Sequence, residues 1–189
     1  MEMNRIFLAG LLCMFALPVF AVEVAGVKIN DSVQVGTQAL VLNGAGVRNK
    51  WMFKVYVGAL YLPQKQASAE AVIADEHAHR VVLHMLRDLG SKKLYGAFSE
   101  AIEANHTPAE LLALEAELKQ MAQIFESIGK AVQGDVIALD YLPGNGTQIS
   151  VNGAPRGTIA GSAFNRALLK IWLGGKPAQE SLKKEMLGG

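Results

Sequence analysis

Cysteine occurs once in this chain of 189 residues, at position 13. That position lies inside an apolar leader, so a processed chain would hold no thiol at all. A thiol nucleophile, a thiolate zinc site, an iron–sulfur cluster and disulfide stapling are thereby excluded, and stability must come from the core. Charge of one sign is lacking too. Lys and Arg number 18 against 17 Asp and Glu, and no more than two basic residues stand adjacent, which leaves no electrostatic footprint for nucleic acid. Beyond residue 20 no apolar run is long enough to span a bilayer, for which roughly 20 residues are needed. His-Glu-x-x-His and Gly-x-Ser-x-Gly are missing, and Gly44-Ala45-Gly46 lacks the third glycine and the following helix of a dinucleotide loop. His77 and His79 would share a strand face, with His84 nearby, but no coordination pattern accompanies them. No metal or other cofactor is expected.

What is present begins with an export signal. Arg5 precedes the almost wholly apolar Ile6 to Phe20, and Val19-Phe20-Ala21 provides small residues for a cut after Ala21. The run is too short for a membrane anchor, and Leu12 is too large to precede a lipidated cysteine at position 13. The sequence thus divides into a signal peptide, 1–21, and one domain, 22–189, expected in the periplasm without stable membrane insertion. Hydrophobic residues at 51% and charged residues at 19% are those of a globular chain with a substantial core.

Along the domain, Val22 to Val35 reads as a strand pair around Gly26, and Arg80 to Leu86 as a central strand, apolar on both faces. Ser68 caps a short helix to Ala74, and Ser91 opens another to Ala104. Thr107-Pro108-Ala109-Glu110 is a capping box with proline at the first helical position. The stripe Leu111, Leu114, Leu118, Met121, Phe125, Ile128 predicts one helix from there to Gly129. Three short strands meander between Asp135 and Ala160, and helices follow from Ser162 and from Pro177. Hairpin-length connections between strands, with helices gathered elsewhere, predict an α+β fold: a large antiparallel sheet under a layer of helices.

The organising stretch is Leu40 to Leu62, LVLNGAGVRNKWMFKVYVGALYL. Asn43-Gly44-Ala45-Gly46 reads as a hairpin turn between two apolar strands. In the second strand Trp51, Phe53, Val55, Val57 and Ala59 share one parity, while Lys54 and Tyr56 share the other. If the latter face lines a cleft, Arg48 and Tyr56 both point into it. Read by residue type alone, Arg48 is either a solvated arginine beside a turn or a cleft cation that grips a carboxylate or phenolate through two hydrogen bonds. Tyr56 is either a core tyrosine or a hydroxyl beside that cation.

The string GAGVR, the lysine-containing strand after it and its LYL ending resemble the chalcone isomerase-like family, in its bacterial branch. So does Phe164 to Gly188, FNRALLKIWLGGKPAQESLKKEMLG. The resemblance implies an open-faced β-sandwich with a ligand cleft between sheet and helices, and makes Arg48 the ligand-binding arginine. Tyr56 stands where the family has either a threonine that serves the isomerase or a tyrosine that serves fatty-acid-binding members. FSEAIEAN resembles a helix segment that starts with a catalytic-site tyrosine and ends in asparagine: Asn105 matches, and the tyrosine position is Phe98. Gln179 aligns with a hydroxyl residue near the substrate.

Phe98 has no hydrogen to donate to a developing enolate, a contact worth about 2.7–4 kcal/mol of barrier in comparable sites. The expectation is therefore a non-catalytic exported protein that holds a fatty acid or similar amphipathic carboxylate, with Arg48, Tyr56, Phe98 and Asn105 at the ligand. The alternatives are an isomerase that closes a chalcone to a flavanone using Arg48, Tyr56 and Asn105, and an envelope assembly factor without a small ligand.

Overall fold

The computed structural model describes residues 21–189, so the leader and Cys13 lie outside the described residues. Strands β1 (Ala21–Val24), β2 (Val27–Asn30), β3 (Ser32–Val35), β4 (Gln38–Lys50) and β5 (Phe53–Leu62) come first. Helix α1 (Ala69–Ala74) leads to β6 (His79–Met85) and the two-residue β7 (Leu89–Gly90). Helices α2 (Ser91–Ala104), α3 (Pro108–Ala113) and α4 (Glu115–Ile128) precede β8 (Lys130–Ala131). The meander β9 (Val136–Leu142), β10 (Gly146–Val151) and β11 (Ala154–Ile159) follows, then α5 (Ser162–Leu173) and α6 (Glu180–Met186).

Seven strands form one curled antiparallel sheet in the order β11-β10-β9-β6-β5-β4-β3. β6 is its middle strand, which accounts for a sequence apolar on both faces. Val81 joins Leu60, Leu139 and Ile149 under the helices, where Ile102, Met121, Phe164 and Leu168 meet them. Val82 joins Val57, Ala59 and Tyr61 on the other face, covered by Ile29 and its neighbours from the β1–β2 hairpin. Alternate residues of each central strand thus enter two separate cores.

Three local expectations are corrected. Asn43-Gly44-Ala45-Gly46 is no turn: β4 runs straight through it, and the turn is the pair Trp51-Met52. Asn43 is an extra residue in the β4–β5 ladder. Its buried amide donates to Gln66 O at 3.0 Å and Met186 O at 2.8 Å, while Oδ1 accepts from Gln66 N at 2.7 Å. The glycines beyond it form the floor on which α6 rests. A Cβ on Gly44 would stand 2.9 Å from the Met186 carbonyl carbon, and one on Gly46 would stand 2.6 Å from Glu185 Cβ. An Asn-Gly pair is a strong turn signal, but the same residues also serve bulges within a strand.

The helix expected from Thr107 to Gly129 keeps its capping box but breaks at Leu114, whose φ of −108° and ψ of 10° leave the helical region. No proline or glycine marks the break, so the hydrophobic stripe reads through it. The last helix starts at Glu180 rather than Pro177, because Gln179 is extended (φ −162°, ψ 129°) and bonds to β4 instead.

Candidate functional site

Between the helices and the sheet lies a cavity of about 990 Å³. Its walls are apolar: Phe98, Met121 and Phe125 from α2 and α4, and Leu83, Leu139 and Ile149 from the sheet. Phe98 is buried within an aromatic cluster, its ring 5.5 Å from Phe125 and 6.2 Å from Tyr95.

The polar element of the cavity is built by β4 and β5. Arg48 and Tyr56 are register partners, so their side chains leave the same face of the sheet. A bulge follows directly: Asn49 pairs with Lys54, which makes Val55 the extra residue. Strict alternation fails there, and Val55 and Tyr56 both line the cavity although they are adjacent. Trp51 and Phe53 share the apolar parity of Val57 and Ala59, yet they are exposed and stand at the cavity rim.

Tyr56 Oη accepts a hydrogen bond of 3.0 Å from Trp172 Nε1 on α5. Burial pushes the phenol above its usual range, with the Trp172 bond and the Arg48 guanidinium beside it only partly offsetting that rise. Tyr56 is accordingly a neutral donor at physiological pH. With the indole N–H on its oxygen and no acceptor for its own hydrogen among the described residues, the hydroxyl has a proton to offer.

Arg48 is held from below. Its Nη1 bonds the carbonyl of Asn49 and donates to Gln179 Oε1 at 3.3 Å. The same Oε1 accepts from Asn49 N at 2.8 Å, and Gln179 Nε2 donates to Val47 O at 3.1 Å. Gln179, matched in sequence to a position near the substrate, thus positions the arginine. Among the described residues no carboxylate forms an ion pair with Arg48. Lys50, Arg87, Lys93 and Lys176 also line the cavity, against the single acid Glu100, and the excess of positive charge favours an anionic guest.

Of the four residues expected at the ligand, the fold brings Arg48, Tyr56 and Phe98 to one cavity. Asn105 is elsewhere engaged. As the C-cap of α2 its Nδ2 donates to Ala101 O at 2.9 Å and Lys176 O at 2.7 Å, and its Oδ1 accepts from Lys176 N at 2.9 Å. It fastens the segment after α5 to the end of α2. Trp172 is a participant that the sequence does not single out, since one apolar stripe carries it with Leu168 and Ile171. His77 and His79 do not share a site: His77 is exposed against Asp75, and His79 is buried against Asn165.

The family profile described as chalcone isomerase-like matches residues 21–188. The chain belongs to the chalcone isomerase-like family. No curated protein matches it in sequence. Among solved structures it is similar to the crystal structure of the Arabidopsis thaliana fatty-acid binding protein, with a TM-score of 0.70 and 16% identity over 86% of this chain and 92% of that one. At that identity the likeness establishes the fold. In this chalcone isomerase-like chain the cleft expected between sheet and helices is the cavity that Arg48 and Tyr56 enter from β4 and β5.

Proposed function

We propose that this protein is an exported, non-catalytic binding protein that holds a fatty acid or similar amphipathic carboxylate, its tail among Phe98, Met121 and Phe125 and its head at Arg48 and Tyr56. One observation carries the reading: a large apolar cavity with a cation and a phenol hydrogen side by side, neither matched by an acceptor carboxylate among the described residues. Each methylene moved from water into such a cavity contributes about 0.8 kcal/mol. A charge-assisted bond to the head group adds about 1.5–3 kcal/mol. A fatty-acid binding protein as structural neighbour supports the same ligand class, and the leader, Arg5 followed by Ile6 to Phe20, supports work in the periplasm. Phe98 in the wall supplies no donor for an enolate, and Asn105 is bound to backbone groups, so of the residues the isomerase reading names only Arg48 and Tyr56 face the cavity.

Native mass spectrometry of protein purified gently from the periplasm tests the proposal. A lipid mass on the wild type that is absent from Arg48→Ala supports it. Wild-type protein that stays ligand-free after incubation with fatty acids refutes it.

A further inference from the structure

The tip of the β4–β5 hairpin is a second surface whose features serve neither core nor cavity floor. Trp51 is 91% exposed, Met52 87% and Phe53 54%, the largest cluster of exposed apolar side chains contiguous in sequence among the described residues. Single exposed apolar residues need no explanation; three in a row at a hairpin tip do. Trp51 also takes a φ of 62°, a left-handed conformation that glycine or asparagine adopts at lower cost than a tryptophan. The chain thus holds a large aromatic in a strained backbone position where it contributes nothing to the fold. Strain of this kind points outward, to something the side chain meets.

The charge around the tip says what that is. Lys50 and Lys54 flank it, both exposed, and from Ser32 to Ala69 the sequence has no Asp or Glu. The Arg87 guanidinium lies 4.7 Å from the centre of the Phe53 ring, and Lys93 stands on the same cavity rim. The nearby Asp88 is paired with Lys130 at 2.7 Å. An indole, a thioether and a phenyl ring projecting from a ring of cations match an anionic phospholipid surface: apolar groups for the acyl boundary and ammonium groups for the phosphates. Trp51 and Phe53 also line the cavity, so a tip seated in lipid would place the mouth of the cavity against the membrane.

We propose that the β4–β5 tip is a membrane-docking wedge for anionic phospholipid bilayers, through which a guest enters and leaves without crossing water. No described helix is long and apolar enough to cross a membrane, and the contact is peripheral. The docking itself does not rest on which guest the cavity holds.

Flotation with phosphatidylglycerol–phosphatidylethanolamine vesicles and with phosphatidylcholine vesicles tests it, using wild type, Trp51→Ser/Met52→Ser and Trp51→Gly. Both altered residues are exposed, and the glycine relieves the left-handed position, so each variant should melt no lower than wild type. Wild type should float with the anionic vesicles and not with phosphatidylcholine, and both variants should lose about tenfold or more in partitioning. Trp172 is buried, so a blue shift and quenching by brominated acyl chains report Trp51, and Trp51→Phe should abolish that signal. Three results would each overturn the proposal: no flotation of wild type, flotation unchanged in both variants, or flotation without any spectral change at Trp51. A dimer that the variants convert to monomer, with no lipid binding, would assign the tip to a second copy of the chain and likewise refute it.

Discussion

Arg48 and Tyr56 face each other directly across the β4–β5 ladder, and the hydroxyl of Tyr56 is fixed from the other side by Trp172 Nε1 at 3.0 Å. A strand, its partner and a helix 116 residues further on thus meet at the Tyr56 side chain. Tyr56→Phe removes the hydroxyl while keeping the ring. Two effects are expected: the buried indole N–H loses its acceptor, at a cost of about 1–3 kcal/mol in unfolding free energy, and carboxylate affinity falls several-fold. Urea unfolding reads the first and ligand titration the second. A variant as stable as wild type would mean that the indole finds another partner.

Asn105→Ala separates structure from binding. Its amide joins α2 to Lys176 through three backbone contacts and does not line the cavity. The variant should lose about 1–3 kcal/mol of stability while the folded fraction binds ligand as wild type does. A large drop in affinity at full folding would restore Asn105 to the ligand site.

Gly44→Ala should drive α6 off β4, because the new Cβ meets the backbone of Glu185 and Met186 rather than a side chain that can swing aside. Overpacking of this kind costs about 1–3 kcal/mol or more. Gly58→Ala is the control on the same face: its nearest neighbour would be a Tyr56 ring carbon at 3.4 Å, ordinary contact. Thermal melts of the two variants should differ clearly, with Gly44→Ala the lower.

His79 gives the fold a pH dependence. It is buried, stacked on Tyr141 with ring centres 5.1 Å apart, and bonded to His77 O and to Asn165. Burial lowers its pKa below the ordinary 6.5, as it does for His84 on the same strand. A histidine whose folded pKa is depressed takes up its proton more readily when unfolded. Stability is therefore full above pH 6.5 and is lost as pH falls from there through the folded values. Urea midpoints measured from neutral pH downward should decline in that window, and less steeply in His79→Gln. A flat profile would contradict the burial of a neutral ring.

The fold class and most elements were legible because the signals were local: the two-faced apolar run of β6, the capping box at Thr107, the short strands of the β9 to β11 meander. What misled was information held at long range. Asn43 to Gly46 carries turn residues, yet those glycines answer to α6, some 140 positions away in sequence. The break at Leu114 leaves the hydrophobic spacing intact. Arg48, Tyr56 and Phe98 were placed in one cleft by resemblance, and the structure shows all three there. Trp172 was hidden because a core indole and a hydrogen-bonding indole have the same periodicity. A helix-ending asparagine and a ligand-facing one look alike until the chain that returns past Asn105, at Lys176, is in place.

The central claim is that Arg48 recognises a carboxylate. The most direct measurement is calorimetric titration of wild type and Arg48→Ala with a fatty acid and the fatty alcohol of equal length. Wild type should prefer the acid by about tenfold or more, the factor that 1.4 kcal/mol of charge-assisted bonding supplies. Arg48→Ala should bind acid and alcohol alike. Equal affinity of wild type for both, or an acid preference that survives in Arg48→Ala, would contradict the account.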